Sequence, residues 1–171
     1  KVQANPYLQS QPPQIIEIWK IFEAYVWYLI SVKKIDVPEN ELPATRFKIS
    51  RFLNEVPLLS KDKGGMNISV LIIQFLFFIA NKKVAECENR IDAMNKYCSR
   101  YLSDTNSLRS QYFIKMLLQI PLNNFHREAV LRKSDKHHKN LLSVPLESAT
   151  QMHEVEIIPY EQLWDMIIRS L

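Results

Sequence analysis

The stretch KVAECENRIDAMNKYCSRYL, residues 83–102, decides the fold class. Val84, Cys87, Ile91, Met94, Cys98 and Tyr101 follow one another at alternating spacings of three and four. Glu86, Glu88, Arg90, Asp92, Lys96 and Arg100 fill the other faces. Side chains three and four apart share one side of an α-helix, so the spacing predicts an amphipathic helix packing that side on a core.

The segments on either side keep the helical rhythm. Residues 67–81 are apolar almost throughout, with only Ser69 and Gln74 polar between Ile68 and Ala80. A bilayer span needs ~20 such residues, so this helix is expected to be buried centrally instead. A helix over 105–120 follows, with Asp104 or Thr105 as N-cap, a stripe of Leu108, Tyr112, Met116 and Ile120, and a stop at Pro121. The next spans 124–142 and ends ahead of Pro145. Upstream, Pro12 and Pro13 open a helix that runs to Lys34, after an extended lead over 1–12. Ile15, Ile18, Trp19, Phe22, Val26 and Leu29 recur in it at helical spacing. A polar loop from Asp36 to Pro43 leads to a helix over 44–56 that carries Phe47, Phe52 and Leu53 inward and ends before Pro57. The tail reads as an extended segment over 153–158, then a short helix from Pro159 bearing Leu163, Trp164, Ile167, Ile168 and Leu171.

The expected fold is therefore all-α, about seven helices stacked as antiparallel pairs in one domain over 1–171. Helix pairs occupy 13–142, and the extended segment and terminal helix occupy 143–171. Composition agrees: Gly64 and Gly65 are the only glycines in 171 residues, whereas glycine averages ~7%. Turn-rich sandwiches and phosphate-cradling loops need glycine at several places, because only glycine takes positive φ freely. The chain opens on Lys1 without initiator methionine or signal peptide, and is expected to be a piece of a longer protein.

The pairs over 67–102 and 105–142 start just under 40 residues apart, within the range of helical repeats. The tetratricopeptide signature is degenerate. With Ala85 at the small-residue position, the tryptophan position falls on Ser69 and the Leu-Gly pair on Ile72 and Ile73. The strings RFLNEVPLLSKDKGGMN from Arg51, NKYCSRYL from Asn95, FIKMLLQIP from Phe113, SVPLE from Ser143 and EVEIIPYEQLW from Glu154 resemble the C-terminal part of a bacterial family of uncharacterised helical proteins with tetratricopeptide-like character. The resemblance covers most of the chain after Pro13. It implies a stacked helical fold and carries no catalytic residue or cofactor with it.

No catalytic constellation stands out. Cys87 and Cys98 lie eleven residues apart on one helix face, ~16 Å along its axis, too far for a disulfide and unlike any zinc spacing. They read as core residues and suit a cytoplasmic setting. His137 and His138 diverge by ~100° on a helix and do not suit one metal ion, nor does His126 beside Glu128. Lys61-Asp62-Lys63-Gly64-Gly65 lacks the phosphate-loop pattern and reads as a plain turn before a helix. Glu88 and Asp92 read as a solvated pair.

The unusual segment is Arg132 to Asn140, nine residues without an apolar side chain. Arg132, Lys136 and Lys139 share one face, with Lys133 beside it, and the segment is expected to project into solvent or meet something polar. Two structural readings compete. Glu128–Arg132 and Asp135–Lys139 are favourable i,i+4 pairs. Glu147, Glu154, Glu156, Glu161 and Asp165 also form an acidic tail that could fold back on the basic helix.

The expected function is non-catalytic: a protein–protein interaction or scaffolding module that holds a peptide or partner helix in a groove between helices. The alternative is a nucleic-acid-binding module using Arg132, Lys133, Lys136 and Lys139, although no aromatics interleave these cations. A third is an enzyme whose site lies mainly outside this stretch. No cofactor, metal or membrane partner is expected.

Overall fold

The computed structural model describes residues 6–38, 47–56, 66–102, 107–146 and 156–171. Among them are eight helices and no strand: α1 (Pro6–Gln9), α2 (Pro13–Ser31), α3 (Ile49–Glu55), α4 (Met66–Ala80), α5 (Val84–Tyr101), α6 (Leu108–Leu122), α7 (Arg127–Ser143) and α8 (Tyr160–Ser170). The fold is all-α and built from helical hairpins, as its periodicity predicts. No described helix is long and apolar enough to cross a membrane. The chain divides into two compact units, Lys1–Gln74 and Phe75–Leu171, with α4 running from the first into the second.

In the first unit, α2 buries Ile21, Ala24, Tyr25 and Tyr28. The stripe from Ile15 to Leu29 identifies the helix but not its inward side, for Ile15, Trp19 and Val26 are exposed. The buried side lies roughly a third of a turn away at ~100° per residue. Ala24 lets a neighbour approach closely, and the Tyr25 hydroxyl donates to the Ser69 carbonyl at 3.1 Å. Glu55 of α3 meets Lys20 of α2 at 3.1 Å and Arg51 at 2.7 Å. Phe47 stacks on Trp27 and packs against Phe52, with centroids 6.3 and 5.9 Å apart.

Two boundaries here differ from expectation. The lead over 1–12 is not wholly extended: α1 forms one turn with proline in its first position, and Ser10 Oγ and Gln11 Nε2 both donate to the Tyr7 carbonyl. The helix expected over 44–56 begins only at Ile49, because Lys48 is extended at φ −122° and ψ 116°. Positions 44–46 of that expectation lie outside the described residues, as do the 61–65 turn and the Asp104 or Thr105 cap.

α4 is buried on every side, each residue from Ile68 to Ile79 included. In the second unit, α6 is the hub on which α5, α7 and α8 pack. α5 turns Cys87 and Met94 of its stripe fully inward, whereas Ile91 and Cys98 are half-buried and Val84 is exposed. No disulfide joins Cys87 and Cys98. Burial, reinforced by the charges of Glu86 and Glu88, pushes the Cys87 thiol up to about 12. α6 runs through Pro121 instead of stopping before it. In the last turn proline removes only one hydrogen bond, and Asn123 caps the end by donating from its backbone and its side chain to the Gln119 carbonyl.

The next helix starts at Arg127, three residues after its expected origin, because Asn124 and Phe125 both adopt positive φ, 51° and 58°. Lys33 and Lys82 do the same after α2 and α4, at 57° and 51°. In each turn an amide reaches back five residues: Lys34 to Leu29, Lys83 to Phe78 and Phe125 to Ile120. This is the left-handed helix stop that glycine usually serves. A chain almost devoid of glycine makes it with lysine, asparagine and phenylalanine. Of the extended segment expected over 153–158, positions 153–155 lie outside the described residues, and 156–159 carry no regular structure before α8 begins.

Candidate functional site

α7 starts on a histidine. His126 takes the N-cap, its Nδ1 accepting from the Ala129 amide at 3.4 Å, which gives this side chain a capping role. From there α7 lies along α6 and buries Val130, Ser134 and Leu141. The segment 132–140 therefore does not project as a free half-helix. Its inward positions are polar, yet they pack. Ser134 Oγ donates to the Val130 carbonyl at 2.7 Å, so a buried hydroxyl is satisfied within its own helix and needs no apolar substitute. His137, one turn on, is half-buried. Burial first, then the charges of Lys115 and Lys136, hold its pKa below the ordinary histidine value, so near neutral pH it adds no charge.

The opposite side of α7 carries Arg132, Lys133, Lys136 and Lys139, all exposed. The structure brings Arg132, Lys136 and Lys139 onto one face, as the spacing predicts, across ~10 Å at 1.5 Å per residue. Lys139 meets Asp135 at 2.8 Å, an exposed pair worth little. Arg132, Lys133 and Lys136 have no ion-pair partner among the described residues.

Two acids of the tail go elsewhere. Glu156 and Glu161 turn to Arg109, which is buried at the start of α6 and only 4% exposed. Its Nε donates to Glu156 Oε1 at 2.5 Å, and its Nη2 donates to Glu156 Oε2 at 3.1 Å and to Glu161 Oε2 at 2.6 Å. Nη1 donates to the carbonyls of Val144 at 2.8 Å and Leu141 at 3.3 Å. Burial opposes the guanidinium charge, but the bonds and charges of the two glutamates outweigh it and raise the pKa above the usual arginine value. The internal neutralisation expected for the α7 face is thus corrected at Glu156 and Glu161; Glu147 and Glu154 lie outside the described residues.

Around this clamp α8 seats its apolar side, Tyr160, Leu163, Trp164, Ile167 and Ile168. The Tyr160 ring stacks on Phe113 with centroids 4.4 Å apart, and its hydroxyl meets Ser110 Oγ at 2.9 Å. At the far end Arg127 Nε donates to the Ile168 carbonyl at 3.1 Å, a cation where the helix dipole favours one. Periodicity alone missed Arg109. The available signal was a charge in register with Phe113 and Met116, and a glutamate, Glu156, beside Ile157 and Ile158 in an otherwise apolar run.

Among the described residues, no group of three or more histidine, cysteine or acidic side chains is placed to hold a metal ion. Comparison with protein-family models, with curated proteins and with solved structures found no match.

Proposed function

We propose that this chain is a non-catalytic protein–protein interaction module, a degenerate tetratricopeptide-like array of a bacterial cytoplasmic protein, that docks an acidic partner on the outer face of α7. One observation carries the reading. Arg132, Lys133 and Lys136 stand exposed without an ion-pair partner among the described residues, while Glu156 and Glu161 are committed to Arg109. Because α8 packs against both α6 and α7, this reading seats the partner on the outer face of α7 in place of a groove between those two helices.

The same three cations also suit phosphates, which makes a nucleic acid the second reading. Two features favour a protein: Glu128 and Asp135 stand exposed among the cations, and would repel a phosphate backbone that a mixed protein surface tolerates. There is also no phenylalanine, tyrosine or tryptophan in 126–140 on which a base could stack.

The test is affinity capture from bacterial lysate, with and without nuclease, using the wild type and a variant carrying R132E, K133E, K136E and K139E. Partners that survive nuclease and disappear with the variant support the reading. Capture abolished by nuclease transfers the face to nucleic acid, with a steep salt dependence as its signature.

A further inference from the structure

The basic face does not end at Lys139. Leu142, three residues on, is 58% exposed, and Leu146, just past the helix, is 41% exposed. At ~100° per residue Leu142 falls beside Asp135, about 60° from Lys139, 80° from Arg132 and 100° from the buried side that holds Val130, Ser134 and Leu141. The backbone around Leu142 is pinned from beneath. Arg109 Nη1 holds the carbonyls of Leu141 and Val144, on either side of Leu142. Two large apolar side chains thus face solvent past the end of a row of cations and to one side of it, Leu142 from a fixed stretch of chain.

Resting on the reading of α7 as a docking face, we infer that its occupant is an acidic amphipathic helix that uses this whole surface. Carboxylates at i, i+4 and i+7 of the partner match Arg132, Lys136 and Lys139. An apolar residue about one turn further meets Leu142 and Leu146. From Arg132 to Leu142 is ~15 Å of helix, or about three turns of partner. The cations supply attraction and direction, and the leucines supply the desolvated contact that separates this partner from a generally acidic surface.

The probes are two fluorescein-labelled helical peptides with glutamates at i, i+4 and i+7, one ending in two leucines and the other in two serines. A 20-nucleotide single-stranded DNA serves as the third. Binding is read by anisotropy on the whole chain and on two variants, L142S/L146S and R132E/K136E. All four substituted side chains are exposed, and circular dichroism checks that the variants fold.

The leucine peptide is expected to bind the wild type at least tenfold more tightly than the serine peptide, about what burying one leucine is worth. L142S/L146S erases that difference and keeps the weaker binding, whereas R132E/K136E abolishes both. Equal binding of the two peptides, lost with R132E/K136E, overturns the amphipathic partner and leaves the acidic-partner reading standing. DNA binding lost with R132E/K136E, with neither peptide bound, overturns both, and so does no saturable binding by any probe.

Discussion

Arg109 meets Glu156 side-on, two nitrogens against two oxygens, at 2.5 and 3.1 Å. Both side chains are almost wholly enclosed, 5% and 3% exposed. Removing one partner from such a pair leaves a buried charge with no compensation, which typically costs about 3–5 kcal/mol. Arg109→Ala is therefore expected to lower the unfolding free energy by that amount in urea titration. The double variant R109M/E156L should recover a substantial part of the loss, since an apolar pair of similar volume asks for no ion partner.

Tyr160 separates packing from hydrogen bonding. Tyr160→Phe keeps the stack on Phe113 and loses the contact to Ser110 Oγ, so about 1 kcal/mol should disappear. Tyr160→Ala loses the stack as well and should cost about 3–5 kcal/mol, as truncation of a buried aromatic does. Thermal melts of the two variants check the difference.

His137 gives the fold a pH dependence of known sign. Its pKa in the folded chain lies below the ordinary 6.5, because burial and then Lys115 and Lys136 oppose its charge. The folded state thus binds fewer protons than the unfolded one. The stability from this group is complete above 6.5 and is lost as pH falls through the folded value. His137→Gln should flatten the fall in urea midpoint between pH 7 and pH 5. An unchanged slope would assign that fall to carboxylates instead.

Lys82 closes α4 at φ 51° and is exposed. A left-handed lysine costs ~1 kcal/mol that glycine avoids, partly offset by the greater freedom of glycine in the unfolded chain. Lys82→Gly is expected to raise the melting temperature slightly, and Lys82→Val to lower it, because a branched Cβ is worst placed there.

The helices were legible because their apolar residues recur at three and four, and α4, α5, α6 and α7 form within a few residues of where that spacing puts them. Which side of α2 faces inward was not legible. Ile15, Trp19 and Val26 make as good a stripe as Ile21, Ala24 and Tyr25, and only the tertiary contact to Ser69 decides between them. Helix ends resisted for a similar reason. Positive φ at Lys33, Lys82, Asn124 and Phe125 is written in no glycine, so the stops are invisible to composition. On α7 the cations were legible as a row. Where Glu156 and Glu161 go was not, since Arg109, 23 residues upstream of Arg132, draws both to itself.

The clamp also sets an order on the birth of the molecule. Arg109 is synthesised 47 residues before Glu156 and 52 before Glu161. While a ribosome is still adding that interval, α6 carries in its first turn a cation whose counter-charges do not yet exist. Such a charge keeps its water, and the hairpin around it stays loosely closed. Only when Glu156 and Glu161 have left the exit tunnel does sealing it become favourable, so the packing around Arg109 is completed late.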